Sequence, residues 1–460
     1  MSVERYDAII VGAGPAGVFA AIELMEHRPG SRLLVLERGK PISERSCPAR
    51  ERSCVNCPTC AIMTGWGGAG AFSDGKLTLS TDVGGWLGDY LDAQELERLV
   101  DDSDRMWLRF GATTEIHGPD QETAARLVHD ATLAGMRLIP MRIRHIGSDR
   151  SPAVLQAMYD HLVEVGVEVR TRTEVARIRE HDGVVQGVEL IDGTSIDASA
   201  VVVAPGRDGA DWLAAQARSL GIPLVNNAVD IGVRVEVPAP VMEPLTVPLY
   251  EAKLIQYSRR FGDQVRTFCM NPYGAVTTES YGTIVTVNGH SYAERRTENT
   301  NFAVLVSQSF THPFQEPITY GTSIARLANL LGEGILVQRL GDLRAGRRST
   351  EKRIAESVVV PTLRGATPGD LSFVLPYRHL VDILEFLDSL DTLVPGVAAD
   401  GTLLYGVEVK FYSSRLQVGA DLQTPITGLY AIGDGAGVTR GLIQSGASGL
   451  LAARAIAKAL

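Results

Sequence analysis

The cysteines are the residues whose spacing most directly suggests chemistry. Four of the five lie in one short segment, residues 47–60, as Cys47, Cys54, Cys57 and Cys60 in a C-x6-C-x2-C-x2-C pattern. In a cytoplasmic protein such spacing favours a metal site over a disulfide. Four thiolates can hold a tetrahedral Zn²⁺ or an iron–sulfur cluster. Unmetallated thiols or a redox disulfide are the remaining alternative.

A glycine pattern near the start has the spacing of a dinucleotide-binding turn. Gly12-x-Gly14-x-x-Gly17 follows an apolar strand predicted over residues 6–11 and precedes a predicted helix. The first glycine permits a tight turn, the second lets backbone N–H groups approach a pyrophosphate, and the third allows the helix to pack closely on the strand. The helix then faces the phosphate with the positive end of its dipole.

An acidic residue stands at the position that this pattern requires. Glu37 follows a second predicted strand, residues 32–36, and lies 20 residues beyond Gly17. A carboxylate there accepts hydrogen bonds from a ribose. Because NAD and FAD are both bound by such a unit, the choice between them depends on the rest of the chain.

Three later segments favour FAD. Residues 169–204 have the pattern of a β-meander that returns to a strand ending in Ala204-Pro205-Gly206. A last buried strand, residues 428–432, runs into Gly433-Asp434. The third is a glycine-rich segment, residues 65–70, which lies downstream of Glu37. Apart from residues 65–70 themselves, no second G-x-G-x-x-G is present in the sequence, so a second nucleotide site for a nicotinamide nucleotide is not indicated.

The chain carries three markers in order: the N-terminal turn, the middle strand end at residues 204–206 and the C-terminal Gly-Asp. In this it resembles the FAD-dependent flavoproteins of the glutathione-reductase type. More narrowly, residues 67–77 and 286–292 are similar to a group of largely uncharacterised FAD-dependent dehydrogenases that carry a GGAGxFSDGKL motif. The middle marker departs from the usual pattern, because Pro205 stands where Thr is common and removes one backbone donor. The resemblance implies FAD and says little about the substrate.

The resemblance also implies which residues hold the cofactor. Asp434 would bind ribityl or pyrophosphate oxygens, the helix after residue 441 would direct N–H groups at the flavin, and Val175 would meet the adenine through its backbone. The positions carried over in this way are Gly12, Gly14, Pro15, Ala16, Gly17, Glu37, Arg38, Gly67, Gly68, Val175, Ala204, Gly206, Gly433, Asp434, Leu442 and Ile443.

Candidates for the chemistry beside a flavin come from two regions. Lys76 could offset the negative charge of a reduced flavin, or pair with Asp74. His290 and Tyr292 alternate along a strand-like segment, where the histidine suits acid–base catalysis or is a hydrogen-bonded core residue. Arg348 ends a basic run that could bind a carboxylate or phosphate, or form a solvated surface.

These elements predict an α/β fold: a Rossmann-like FAD-binding domain, made of a βαβ unit and a β-meander, with an inserted, mainly antiparallel α+β substrate domain. A length of 460 residues suits two domains. The FAD-binding domain is expected to be discontinuous, comprising residues 1–75, 141–225 and 400–460. The substrate or cap domain is expected to comprise residues 76–140 and 226–399.

The composition argues against two classes of partner. With 54 acidic and 44 basic residues, the net charge of -10 disfavours a nucleic-acid binder. No stretch reaches the roughly 18 uninterrupted apolar residues of a membrane span. The first residues lack the pattern of a signal peptide, and a cytoplasmic location is therefore expected.

The sequence predicts an FAD-dependent oxidoreductase that transfers hydride between the flavin and a small-molecule substrate, at a carbon–carbon or carbon–nitrogen bond. The substrate is anionic if the arginines bind it, and an external donor or acceptor completes the electron balance. The alternative is an electron-transfer flavoprotein whose cysteine cluster carries iron and relays electrons to a partner protein. A flavin-bearing structural or sensor protein is a third interpretation.

Overall fold

The computed structural model describes residues 4–47, 57, 59–73, 75–147, 150–281, 284–291, 296–314 and 316–460. Its helices are α1 (Pro15–His27), α2 (Ala93–Arg109), α3 (Gln121–Leu133), α4 (Ser151–Glu164), α5 (Ala210–Ser219), α6 (Ala239–Leu249), α7 (Pro317–Gly332), α8 (Leu340–Arg344), α9 (Glu351–Ala355), α10 (Tyr377–Leu393) and α11 (Leu442–Ala459).

The strands of the first half of the chain are β1 (Glu4–Val11), β2 (Leu33–Leu36), β3 (Lys76–Leu79), β4 (Arg137–Ile139), β5 (Arg142–His145), β6 (Glu168–Arg170), β7 (Val175–His181), β8 (Val184–Leu190), β9 (Ser195–Val203), β10 (Leu224–Val225) and β11 (Val229–Pro238). Those of the second half are β12 (Lys253–Tyr257), β13 (Gln264–Asn271), β14 (Ala275–Tyr281), β15 (Ile284–His290), β16 (Asn299–Gln308), β17 (Leu336–Arg339), β18 (Thr367–Pro368), β19 (Leu403–Lys410), β20 (Arg415–Leu416) and β21 (Leu429–Ala431).

The chain forms two compact units, of which the first comprises Met1–Ile116, Arg142–Asn226 and Ser413–Leu460. Its main sheet has the strand order β6-β2-β1-β9-β8-β7, and β21 also pairs with β9. The strands β6, β2, β1, β9 and β21 run parallel. The strands β7, β8 and β9 form an antiparallel meander. This arrangement confirms the predicted βαβ unit and β-meander.

The strands at the centre of this sheet are buried on both faces, as parallel strands usually are. In β1, Ile9 packs into one apolar cluster and Ile10 into another, because successive side chains point to opposite faces. The cluster around Ile10 includes α1, α2 and α11, whereas that around Ile9 includes α5 and the meander. The sheet is therefore covered on both sides, and its edges at the strand ends are where a ligand can approach.

The second unit comprises His117–Met141 and Asn227–Tyr412. Its sheet has the order β18-β17-β19-β11-β16-β13-β12-β4 and is antiparallel except between β17 and β18. Alternate residues of β11, such as Ile231, Val233 and Val235, pack with residues of α6, α7 and α10 in one core. The strands β14 and β15 form a separate antiparallel hairpin.

The predicted fold class, an α/β Rossmann-like domain with a mainly antiparallel α+β region, is thus confirmed. The boundaries of the compact units differ from those expected from the sequence. Residues 76–116 lie in the first unit, because β3 pairs with β5 and because Leu99 and Trp107 of α2 belong to the core that contains α1 and α11. Residues 403–410 form β19 in the sheet of the second unit. Among the described residues, no helix combines the length and the apolar character needed to cross a bilayer.

Candidate cofactor site

The turn after β1 brings three strand ends together. The Gly12 N–H donates to Leu36 O at 2.8 Å, and the Ala204 N–H donates to Val11 O at 2.8 Å. Gly12 has a φ of 104°, and a Cβ at this position would overlap the carbonyl oxygen of Ala204. Only glycine fits where the turn crosses the end of β9.

The end of β21 reaches the same edge of the sheet. The Ile432 N–H donates to Val203 O at 3.0 Å. A Cβ at Gly433 would lie 3.0 Å from the Cβ of Ala16, and one at Gly435 would overlap the carbonyl oxygen of Gly206. The middle and C-terminal markers of the sequence therefore lie against each other, at the carboxyl ends of parallel strands, where open α/β sheets bind their ligands.

Two helices begin at this edge. Gly14 is the N-cap of α1 and Gly441 is the N-cap of α11, and neither helix start has a side-chain cap. A Cβ at Gly449 would overlap the carbonyl oxygen of Ala16, so the two helices pack backbone against backbone. The first N–H groups of both helices and the positive ends of their dipoles suit an anionic ligand.

The glycine-rich segment, residues 65–70, lies on these helix starts. A Cβ at Gly68 would be 3.1 Å from the Cα of Gly14, and a Cβ at Gly70 would be 2.7 Å from Leu442 Cδ2. The structure thus brings together thirteen of the expected cofactor positions: Gly12, Gly14, Pro15, Ala16, Gly17, Gly67, Gly68, Ala204, Gly206, Gly433, Asp434, Leu442 and Ile443.

Glu37 occupies the expected place, but its carboxylate binds backbone. The side chain is 5% exposed. Its Oε2 accepts from the Ala13 N–H at 2.9 Å, and its Oε1 accepts from the N–H groups of Gly39 at 2.8 Å and Gly65 at 3.0 Å. Glu37 therefore links the turn of residues 12–17, called the fingerprint turn below, to the glycine-rich segment. The sequence predicted that Glu37 binds a ribose and did not predict this link.

Arg38 and Val175 are the other two positions expected to hold the cofactor. Arg38 forms an ion pair with Asp208, whose carboxylate also accepts from Thr64 Oγ1 at 2.8 Å. Val175 is the first residue of β7, is buried, and pairs with Leu190 of β8. The guanidinium of Arg38 is engaged by a carboxylate in this structure, and the roles of both residues toward a cofactor stay predictions.

Asp434 lies in the turn after β21. Its Oδ1 accepts from Thr439 Oγ1 at 2.9 Å, and its Oδ2 accepts from the Gly441 N–H at 3.4 Å. Burial raises the pKa of this carboxyl above its ordinary value, although the nearby charges of Arg207 and Arg440 act in the opposite direction. The carboxylate is thus positioned at the start of α11, beside the other markers.

Arg45 also belongs to this site, although the sequence did not indicate that it would. The side chain is buried beside the glycine-rich segment and donates to the carbonyl oxygens of Trp66 at 2.6 Å and Gly68 at 2.8 Å. Burial lowers the pKa of Arg45 to about 10. An arginine in an irregular segment rich in cysteine and glycine carries no sequence signal for such a role.

The cysteine segment provides no metal centre among the residues that the structure describes. Cys57 is exposed, Cys47 and Cys60 are half-buried, and these three form no disulfide. No group of three His, Cys, Asp or Glu side chains in the described ranges is arranged to hold a metal ion. Cys54 lies outside those ranges, so zinc or iron–sulfur at the four cysteines is an unsupported prediction.

The catalytic candidates fall in both units. Lys76 begins β3, opposite His145 of β5, in the first unit, and Asp74 lies outside the described residues. His290 ends β15 in the second unit and is exposed, and Tyr292 lies outside the described residues.

The predicted basic run is largely neutralised. Arg344 forms an ion pair with Asp388, and Arg347 pairs with Asp342 at 2.8 Å. Arg348 is exposed, and its carbonyl oxygen accepts from Arg353 Nη1 at 3.0 Å. These ion pairs favour the interpretation of the run as a charged surface. They disfavour a site in which all three arginines bind one carboxylate or phosphate.

A polar face on the second unit's sheet was not foreseen. Arg234 and Glu408 are both 0% exposed and form two hydrogen bonds of 2.7 Å. Farther along the same face, Tyr412 and Arg266 share the buried carboxylate of Asp230. Burial acts to raise the pKa of Asp230, but Arg266 and the neighbouring hydroxyl groups outweigh it and lower that pKa. Alternate charged residues in a strand usually indicate a solvated face, so the burial of these ion pairs could not be predicted from the pattern.

Comparison with family models gives two matches, each to part of the chain. Residues 229–411 match a family model described as "FAD-dependent protein, C-terminal domain-like". Residues 124–239 match a model described as "Pyridine nucleotide-disulphide oxidoreductase". Parts of the chain are thus similar to models of FAD-dependent proteins and of pyridine nucleotide-disulphide oxidoreductases.

Individual relatives are distant. An uncharacterized protein of Clostridium beijerinckii is 28% identical over 475 aligned positions, which cover 97% of this chain and 80% of the relative. The protein FixC of Escherichia coli K12 is 27% identical over 254 positions, about half of each chain (53% and 46%). A solved 3-ketosteroid dehydrogenase of Rhodococcus jostii is 13% identical over 99% of this chain and 97% of its own, with a TM-score of 0.46.

The residues of the first unit fit the cofactor of this class of oxidoreductase. FAD carries a pyrophosphate, and two helix starts without side-chain caps lie beside a glycine cradle that added Cβ atoms would fill. A partly enclosed carboxylate, Asp434, stands at the start of α11 and can accept hydroxyl donors. The fit covers the phosphate and ribityl parts of the nucleotide.

Proposed function

We propose that this protein is an FAD-dependent oxidoreductase that transfers hydride between the flavin and a small-molecule substrate, at a carbon–carbon or carbon–nitrogen bond. The observation that carries the proposal is the meeting of the fingerprint turn, the glycine-rich segment and the C-terminal Gly-Asp at the starts of α1 and α11. Bound FAD supplies the hydride chemistry, and the protein supplies orientation and charge.

In this proposal the first unit is the FAD-binding domain. The backbone N–H groups at the start of α1 hold the pyrophosphate, with Gly14 and Gly68 leaving room for it. Asp434 accepts hydrogen bonds from the ribityl chain. The first turn of α11, at Leu442 and Ile443, directs N–H groups and a positive dipole end toward the flavin ring, where they stabilise negative charge.

The second unit is the proposed substrate domain. His290, exposed at the end of β15, is the candidate for proton transfer, with Tyr292 beside it in the sequence. Arg348 is the candidate for an anionic substrate group because its neighbours Arg344 and Arg347 are already paired with carboxylates. Lys76 of the first unit is the candidate cation for the reduced flavin.

Replacing Asp434 tests the cofactor assignment. The Asp434→Ala variant should bind FAD more weakly by roughly 1–3 kcal/mol, since a buried hydroxyl loses its acceptor. The matched control is Asp192→Ala, which changes an exposed aspartate in the turn before β9. Titration of FAD-free protein with FAD, followed by flavin fluorescence, measures both. Equal affinities of Asp434→Ala and the wild type would contradict the assignment.

A further inference from the structure

Arg45 is held in an unusual way for a buried arginine. It is 7% exposed, and its guanidinium stacks over the Phe72 ring at 4.7 Å. Nε donates to Ala61 O at 2.9 Å and Nη2 donates to Ile62 O at 2.9 Å. Together with the bonds from Nη1 to Trp66 O and Gly68 O, one side chain binds four carbonyl oxygens between residues 61 and 68.

Two other buried arginines, Arg144 and Arg234, each form a two-bond pair with a carboxylate, besides bonds to main-chain or amide oxygens. Arg144, which is also 7% exposed, makes bonds of 2.7 and 2.9 Å to the two oxygens of Asp104. Arg234 makes the equivalent pair of bonds to Glu408. All four hydrogen bonds given above for Arg45 instead end on the main chain of one segment, and they fix the path of that segment.

The same segment is held from its other side by Glu37. The carboxylate accepts the N–H of Gly65, while the Arg45 guanidinium binds the carbonyl groups that follow. Between these two anchors the Gly67 N–H donates to Ala13 O at 2.8 Å, which ties the segment to the fingerprint turn. Glu37 therefore binds an N–H group of this short backbone segment, and Arg45 binds its carbonyl groups.

We propose that Arg45 is a positioning residue for the flavin nucleotide. By binding the carbonyls of residues 61–68 it holds the glycine-rich segment against the start of α1, and this placement sets the affinity for FAD. The inference rests on the proposed FAD-binding function. Arg45 acts through the backbone and not by touching the cofactor, so its fork of donors matters and its charge alone does not suffice.

The test compares FAD binding by Arg45→Ala, Arg45→Lys and the control Arg144→Met, each prepared free of FAD and titrated with it. Both Arg45 variants should raise the FAD dissociation constant by about tenfold or more, because lysine keeps the charge but lacks the fork. Arg144→Met removes a buried arginine elsewhere in the unit. Its melting temperature should fall while its dissociation constant stays within about twofold of the wild type.

Chemical rescue separates positioning from general destabilisation. Millimolar guanidinium chloride should restore part of the FAD affinity of Arg45→Ala and none in Arg45→Lys, with sodium chloride at equal strength as the control. If Arg45→Ala does not fold, the affinity of Arg45→Lys decides. Wild-type affinity in either folded Arg45 variant would overturn the inference. If the wild type itself takes up no FAD, the proposed function fails instead.

Discussion

The carboxylate of Glu37 offers a sharp distinction between two roles. From the sequence it is a ribose acceptor, whereas in the structure it accepts three backbone N–H groups, those of Ala13, Gly39 and Gly65. Replacing Glu37 with Gln keeps the shape of the side chain and removes its charge and one acceptor. If the backbone role is the main one, this change must weaken the protein even when no cofactor is bound.

The expected cost follows from the three hydrogen bonds. The glutamine oxygen can retain the bonds to Gly39 and Gly65, but its NH₂ group then faces the Ala13 N–H, and one buried donor is left unsatisfied at about 1–3 kcal/mol. The two retained bonds become neutral and each weakens by about 1 kcal/mol. A neutral amide is less costly to bury than a carboxylate, which reduces the total to roughly 2–4 kcal/mol.

Urea unfolding of the FAD-free protein measures this free energy, with Glu23→Gln as the control. Glu23 is equally buried at 5% exposed but pairs with the Arg454 side chain at 2.7 Å. Amide hydrogen exchange should accelerate at Ala13 and Gly65 in Glu37→Gln and stay unchanged there in Glu23→Gln. Unchanged stability of FAD-free Glu37→Gln, together with weaker FAD binding, would refute the backbone role and favour the ribose role.

Two further changes test the packing and the electrostatics. Gly449→Ala should force α11 away from the Ala16 carbonyl, cost about 1–3 kcal/mol and loosen bound FAD, whereas Gly88→Ala, where a Cβ meets only a side chain at 3.6 Å, should do neither. Equal urea midpoints for the two variants would contradict the close helix contact. Burial raises the pKa of Asp382 to about 6, with Asp263 adding to the effect, so the stability that its protonated form contributes is lost as pH rises from about 4 through 6. Asp382→Asn should therefore stabilise the protein at pH 7.5 by up to about 3 kcal/mol and not at pH 4, and an equal gain at both pH values would exclude this titration.

Local pattern was enough to predict elements of both units. The apolar periodicity of the sequence predicts helices over residues 121–133 and 151–164, and these coincide with α3 and α4, whose starts carry the Asp120 cap and the first-turn Pro152. The glycine turn after β1 was recognised because its spacing has one backbone explanation. The meander was predicted from its turns, and residues 195–203 form its last strand.

Tertiary context decided the elements that the sequence did not reveal. The helix α6 contains Pro244 and Pro248, which normally interrupt helices, and it lies in a region expected to be antiparallel. The strand β19 is buried at every residue from 403 to 410, so it lacks the alternation that would mark a half-exposed strand.

The sequence predicted which residues lie together at this edge of the sheet, but not the hydrogen bonds that hold them there. The resemblance implied the glycines and Asp434, and the structure brings them together at one edge of the sheet, while their roles toward a cofactor stay predictions. The bonds of Glu37 and Arg45 to the glycine-rich segment could not be predicted, because they depend on where an irregular segment folds back. A carboxylate or guanidinium that binds main chain leaves no periodic pattern in the sequence.

The most direct test of the account is the flavin stoichiometry of the purified, folded protein. The protein should be yellow, show a flavin absorption spectrum and bind one FAD per chain, either as isolated or after incubation with added FAD. Protein that is folded by circular dichroism, colourless, and unable to retain added FAD through gel filtration would contradict it.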